Sequence, residues 1–140
     1  MIGFDINSQF GARVHDRLQK ETIAWLVTTD GQGTPQPSPV WFLWDGQSML
    51  IYSRPDTPKL RNIAGNPRVA VHLDGDGRGG DIVVLTGRAT IDYDVPPATE
   101  IPEYITKYHA GILSIGMTHE SFADAYNVPV RFMPEKLRGH

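Results

Sequence analysis

Ser48-Met49-Leu50-Ile51-Tyr52-Ser53, continuing as Arg54-Pro55-Asp56-Thr57-Pro58-Lys59-Leu60-Arg61-Asn62, changes character at Ser53. The first half reads as a strand, being short, apolar and bounded by turn residues. The second half starts a helix: Thr57 and Pro58 suit the cap and the first helical position, and Gly65-Asn66-Pro67 ends it. The spacing predicts a helix from about Pro58 to Ala64, with Leu60, Ile63 and Ala64 buried and Lys59 and Asn62 on another face. A helix N-terminus offers free N–H groups and a favourable dipole to an anion. Ser53 adds a hydroxyl, Arg54 a guanidinium and Lys59 an ammonium within one turn of it. Charge-assisted bonds of roughly 1.5–3 kcal/mol each could there secure a phosphate monoester. The competing reading of Arg54, Lys59 and Arg61 is solvated surface charge, the common state of such side chains.

Upstream, Ile23–Thr29 is a β-prone run closed by the hairpin signal Asp30-Gly31-Gln32-Gly33. A second strand is expected over about Thr34–Trp44. Its first half carries Pro35, Pro37 and Pro39 at alternate positions. Alternate N–H groups of a strand point to one edge, so that edge has no donors and must lie open or face a ligand. The second half, Val40-Trp41-Phe42-Leu43-Trp44, is apolar on both faces, as in a segment entering a barrel or a subunit interface. Before these strands, Val14 and Leu18 mark a short amphipathic helix over Phe10–Gln19. Further strands are read at Arg68–Leu73, about Asp81–Ile91 and Val128–Met133. Helical segments run from Pro96-Pro97 to His109 and over Thr118–Tyr126, where Thr118 is the cap and Ser121 the third residue. The expected architecture is mainly β, with six strands, short flanking helices and one domain over 1–140, since no repeat or linker interrupts it.

Composition narrows the chemistry. A formal charge of −3 argues against a general nucleic-acid binder. No apolar run approaches a membrane span, and Met1-Ile2-Gly3-Phe4-Asp5 lacks a secretory layout, so a cytoplasmic protein is expected. The chain has no cysteine, which removes thiolate ligands and nucleophiles and agrees with a reducing compartment. His15, His72, His109, His119 and His140 show no ligand spacing, so no metal site is expected. Asp74-Gly75-Asp76-Gly77 resembles the start of a calcium loop, but the twelfth position is Leu85, and a solvated hairpin is the better reading. Hydrolase elbows, Walker loops and dinucleotide fingerprints are absent from the sequence.

Tyr52-Ser53, Lys59-Leu60-Arg61-Asn62-Ile63 and Asn66-Pro67-Arg68-Val69-Ala70, in this order, resemble the phosphate-binding strand–turn–helix of the split β-barrels related to pyridoxamine 5′-phosphate oxidase. The likeness covers about Ile23–Ile91, with a closing strand at Val130–Pro134, and is similar within the family to actinobacterial reductases that use the deazaflavin coenzyme F-420. It implies a six-stranded split barrel in which Gln36, Pro37, Ser38, Pro39, Val40 and Trp41 line a ring system. Ser53, Arg54 and Lys59 would hold the phosphate, Tyr52 and Asn62 would also bind the cofactor, and the deazaflavin's acidic tail would find Arg54, Lys59 and Arg61 close by. It further implies hydride transfer to an unsaturated or quinone-like small molecule, with no essential acid–base side chain, because the cofactor carries the hydride. FMN as cofactor, or a carrier that binds without turnover, are the alternatives. A homodimer is implied too, Trp41, Phe42 and Trp44 being either interface anchors or barrel core. The sequence departs from the oxidases at Pro58, where they commonly carry a basic residue, and in its short C-terminus, which lacks their substrate-binding features.

Overall fold

A computed structural model describes residues 8–140, so the reading of residues 1–5 lies outside the described residues. Helix α1 spans Gln9–Lys20, capped by the Ser8 hydroxyl accepting the Gly11 N–H, and buries Val14 and Leu18. The hairpin β1 (Ala24–Thr29) and β2 (Pro35–Val40) is followed by β3 (Leu43–Trp44), β4 (Met49–Ser53) and helix α2 (Pro58–Gly65). Strands β5 (Arg68–His72) and β6 (Val83–Ile91) come next. A 3-10 turn (Ala98–Glu100), α3 (Pro102–Ser114) and α4 (His119–Ala125) then lead to β7 (Val128–Gly139). Every strand pair is antiparallel, in the order β2-β1-β5-β6-β7-β4-β3.

That order forces the sheet to curl. Its two edges, β2 and β3, are consecutive in the chain, joined only through Trp41 and Phe42. Laid flat, seven strands would separate those edges by about 29 Å, whereas the connection reaches only about 10 Å. The result is a half-barrel with helices outside it. The prolines lie on its open edge: Pro35, Pro37 and Pro39 face Thr29, Val27 and Trp25 of β1, the sole neighbour of β2 among the described residues.

The expected strand over 34–44 is thus two strands, and the sheet has seven rather than six. The break at Phe42 has a physical cause, because its backbone is bonded to α3 instead of a neighbouring strand. The Tyr108 hydroxyl accepts the Phe42 N–H at 2.8 Å and lies 2.7 Å from the Thr22 carbonyl. The Lys107 ammonium donates to the Phe42 carbonyl at 2.9 Å and sits 3.8 Å from the centre of the Phe42 ring. Tyr108→Phe leaves a buried N–H without its acceptor and is expected to cost about 1–3 kcal/mol, read from the urea midpoint. Burial lowers the Lys107 pKa from 10.5 to about 8. Between those values the unfolded chain binds more protons, so this group makes stability rise with pH from about 8 upward. The difference between the melting temperatures of wild type and Lys107→Met should therefore grow in favour of wild type across that window.

Two apolar layers follow from strand alternation. In β4 every residue is buried. Met49 and Ile51 join Leu26, Phe42, Leu85 and Phe132 inside the barrel, while Leu50 and Tyr52 join Tyr104, Tyr108, Ile112 and Phe122 beneath α3 and α4. Phe42 and Trp44 belong to the barrel core. The closing strand β7 runs six residues past the expected Met133, because nine-residue β6 pairs with it as far as Gly139. A register shift at Thr86/Gly87 accommodates Pro134 and skips Glu135, the usual way a ladder tolerates a proline.

Candidate functional site

A cleft of about 380 Å³ opens where β4 passes into α2. Ser53, fully buried, ends the strand. The chain reverses through Asp56, which takes the left-handed conformation (φ 61°). Thr57 caps α2 in extended geometry, as its sequence position predicts, but without a side-chain cap bond. Its hydroxyl lies instead 3.2 Å from that of Ser53, which donates to the Arg54 carbonyl at 2.8 Å. Pro58 has no N–H, and the N–H groups of Leu60 and Arg61 return to the Thr57 carbonyl. Side chains, more than the helix end, therefore carry the donors here.

Two cations face this corner, and among the described residues no carboxylate lines it. Lys59 is half-buried, has no hydrogen-bond or ion-pair partner among the described residues, and burial lowers its pKa. The Arg54 guanidinium is exposed and stacks 4.7 Å over the Tyr126 ring. An unpaired ammonium in a partly dry pocket is ready for an anion, since its desolvation cost is already present before the ligand arrives.

The rest of the cleft is aromatic. Trp41 lies flat on Tyr108 (4.7 Å, 6°) and close to Phe122 (5.6 Å, 21°), and Phe122 stacks on Tyr126 (4.6 Å). The Tyr52 hydroxyl donates to the Pro96 carbonyl at 2.6 Å, and burial pushes its pKa up to about 12.

Of the residues named from sequence, Pro39, Val40, Trp41, Tyr52, Ser53, Arg54 and Lys59 line the cleft. Gln36, Pro37 and Ser38 lie further along β2 and do not; Gln36 donates to Asp30, and the buried Ser38 hydroxyl has no partner among the described residues. Asn62 also lies off the cleft, its amide donating to the Thr28 hydroxyl at 3.0 Å and tying α2 to β1. Arg61 is likewise spent on the turn, donating to the Asp56 carbonyl at 2.9 Å. The sequence reading assigned no site role to Thr57, Tyr104, Ile115, Phe122 or Tyr126, which complete the lining. A signal existed in part: Tyr104/Tyr108 and Phe122/Tyr126 are pairs four apart in helical segments, an aromatic stripe that had to cover something.

Elsewhere, Asp76 accepts the N–H groups of Arg78 and Gly80, as a solvated turn does. His109 and His119, which looked unrelated in sequence, meet at 2.8 Å between α3 and α4. Among the described residues no group of three or more histidine and acidic side chains is placed to hold a metal, and no helix is long and apolar enough to cross a membrane.

A curled antiparallel half-barrel, with a cleft at the strand-to-helix corner, defines the split-barrel class of flavin-type cofactor proteins. The chain belongs to the pyridoxamine 5′-phosphate oxidase family, whose N-terminal-domain model matches residues 10–138. A putative pyridoxamine 5′-phosphate oxidase from Listeria innocua superposes with TM-score 0.69 at 19% identity, over 91% of this chain and 94% of its own. An F420 reductase gives 0.67 at 22% identity over 89% and 94%. The haem storage protein HutZ from Vibrio cholerae gives 0.62 at 14% over 99% and 95%. At such identities the likeness establishes the fold. No curated protein matches the sequence.

Proposed function

We propose that this protein is a coenzyme F-420-dependent oxidoreductase that reduces an unsaturated or quinone-like small molecule. One observation carries the reading: a hydroxyl and two cations, with no carboxylate among the described residues, stand in a cleft walled by aromatic rings. A ligand that is anionic at one end and flat and conjugated at the other matches both halves. The donor set fits a phosphorylated flavin-type cofactor, with Lys59 and Arg54 on the phosphate, Ser53 beside it, and Pro39, Val40 and Trp41 along the ring. The likeness to an F420 reductase favours the deazaflavin among such cofactors.

When bound, the deazaflavin supplies the hydride. The chain's own share is to hold and orient. Lys59 and Arg54 anchor the charged end, Trp41, Phe122 and Tyr126 exclude water from the ring, and the proline-blocked edge of β2 leaves room beside it. Leu113 and Ile115, exposed in the single chain, are proposed to be covered by a second copy in a homodimer that closes the mouth of the cleft.

Titrating the apo-protein in parallel with the deazaflavin and with FMN tests the assignment. Tighter binding of the deazaflavin is expected. A clear preference for FMN would move the protein to the flavin oxidases and reductases of the same fold. Binding without reduction of any quinone by the reduced cofactor would make it a carrier.

A further inference from the structure

We infer that Gly111 on α3 sets the width of the cleft for its ring ligand, because it is the recess that receives the edge of the Trp41 indole. The inference rests on the cleft taking a flavin-type ligand, and it adds the residue that decides which flat rings fit.

Gly111 lies inside α3 (Pro102–Ser114), its carbonyl accepting from the Ile115 N–H at 3.2 Å and from the Ser114 hydroxyl at 2.7 Å. Apart from proline, glycine is the poorest residue for a helix interior. The backbone gives no reason for one here, since Gly111 is not among the residues with the positive φ that favours glycine. The reason is space. A Cβ at Gly111 would stand 3.1 Å from Cη2 and 3.2 Å from Cζ2 of Trp41, inside the roughly 3.5–4.0 Å at which carbon atoms pack best. Tyr108 and Ile115, three positions before and four after on the same helical face, flank this gap with large side chains. Tyr108 takes the indole on its ring, and Ile115 lines the cleft.

Trp41 turns this local fit into control of the cleft. It crosses from β2 to β3 and lines the cleft beside Pro39 and Val40. Tyr108 stacks on it at 4.7 Å and 6°, and Phe122 lies 5.6 Å away at 21°, so both rings restrict its retreat. A methyl at position 111 therefore shifts the indole by a few tenths of an ångström toward the side left to it, the cleft. A flat ligand held between close walls senses such a shift, because overpacking destabilises a packed contact as a void does. Glycine keeps the slot at the width of a fused planar ring, and a larger residue there selects for a slimmer ligand.

Gly111→Ala tests this without turnover. Alanine is the better helix former, so the free variant should melt within about two degrees of wild type or above it. Its affinity for FMN, riboflavin and the deazaflavin should fall about 5- to 150-fold, the range of ordinary overpacking, and by the same factor with and without the phosphate. In a Trp41→Phe background the substitution should change neither affinity nor near-ultraviolet circular dichroism, since a phenyl ring does not reach position 111. Where Trp41→Phe alone binds too weakly to titrate, the dichroism of the free proteins makes the same comparison. Wild-type affinity of Gly111→Ala for all three probes overturns the role of Gly111 and leaves the proposed function standing. Equal losses or equal dichroic changes in the two backgrounds overturn it too, by showing that the methyl acts through α3 without Trp41. A melting temperature several degrees lower also overturns it, since the indole then has no room to give. If the wild type binds none of the three probes, the proposed function fails and this inference with it.

Discussion

Lys59→Ala is expected to weaken binding of the phosphorylated cofactor by about 1–3 kcal/mol, a loss of roughly 5- to 150-fold, and to leave the unphosphorylated analogue almost unchanged. The asymmetry comes from the free protein. Lys59 is bonded to nothing among the described residues, so the folded chain loses little when it goes. Its ammonium is half-buried, and burial already disfavours its charge, so a phosphate relieves a cost that alanine never carries. Arg54→Ala should do less at the same position, because its guanidinium is exposed and screened and is already engaged over the Tyr126 ring. Calorimetric titration with FMN and riboflavin, or with the deazaflavin and its unphosphorylated form, measures both numbers. Equal losses for the two forms would remove Lys59 from the phosphate site.

Gly87→Val should destabilise the fold by about 3 kcal/mol, the upper end of ordinary overpacking, and lower the melting temperature by roughly 6–12 °C. At this glycine the issue is space. A Cβ there would stand 2.1 Å from the Met133 carbonyl oxygen and 2.9 Å from the Pro134 Cα, both backbone atoms that no rotamer change can move. The position sits in the register shift where β6 and β7 slide past Pro134, so a side chain must part the two strands that pair over the greatest length. Thermal melts followed by far-ultraviolet circular dichroism decide it. A valine variant melting within two degrees of wild type would mean that the ladder around Pro134 is paired differently.

How much of this was legible in the residues depends on how far apart the interacting groups lie along the chain. Helix α2, its Thr57 cap and its stop were readable because each signal acts within four residues. So was the Thr118–Ser121 capping box, in which each side chain bonds the other's backbone. The open edge was readable from three prolines alone, since a missing N–H is a property of the residue itself. The corner that gathers Ser53, Arg54 and Lys59 belongs to the same class, being one turn of chain.

Tertiary structure decided the rest. Phe42 breaks a strand because Tyr108 and Lys107, more than sixty positions away, bond its backbone. No local preference at Trp41 or Phe42 announces that. The extension of β7 through Pro134 and the charged residues after it depends on β6 offering partners along that length. Tyr104, Phe122 and Tyr126 become a wall of the cleft only once α3 and α4 pack against β4. Local backbone chemistry specified the cationic corner, and long-range packing specified the aromatic wall, because a side chain's neighbours across a fold are set by the competition of the whole core for volume and hydrogen bonds.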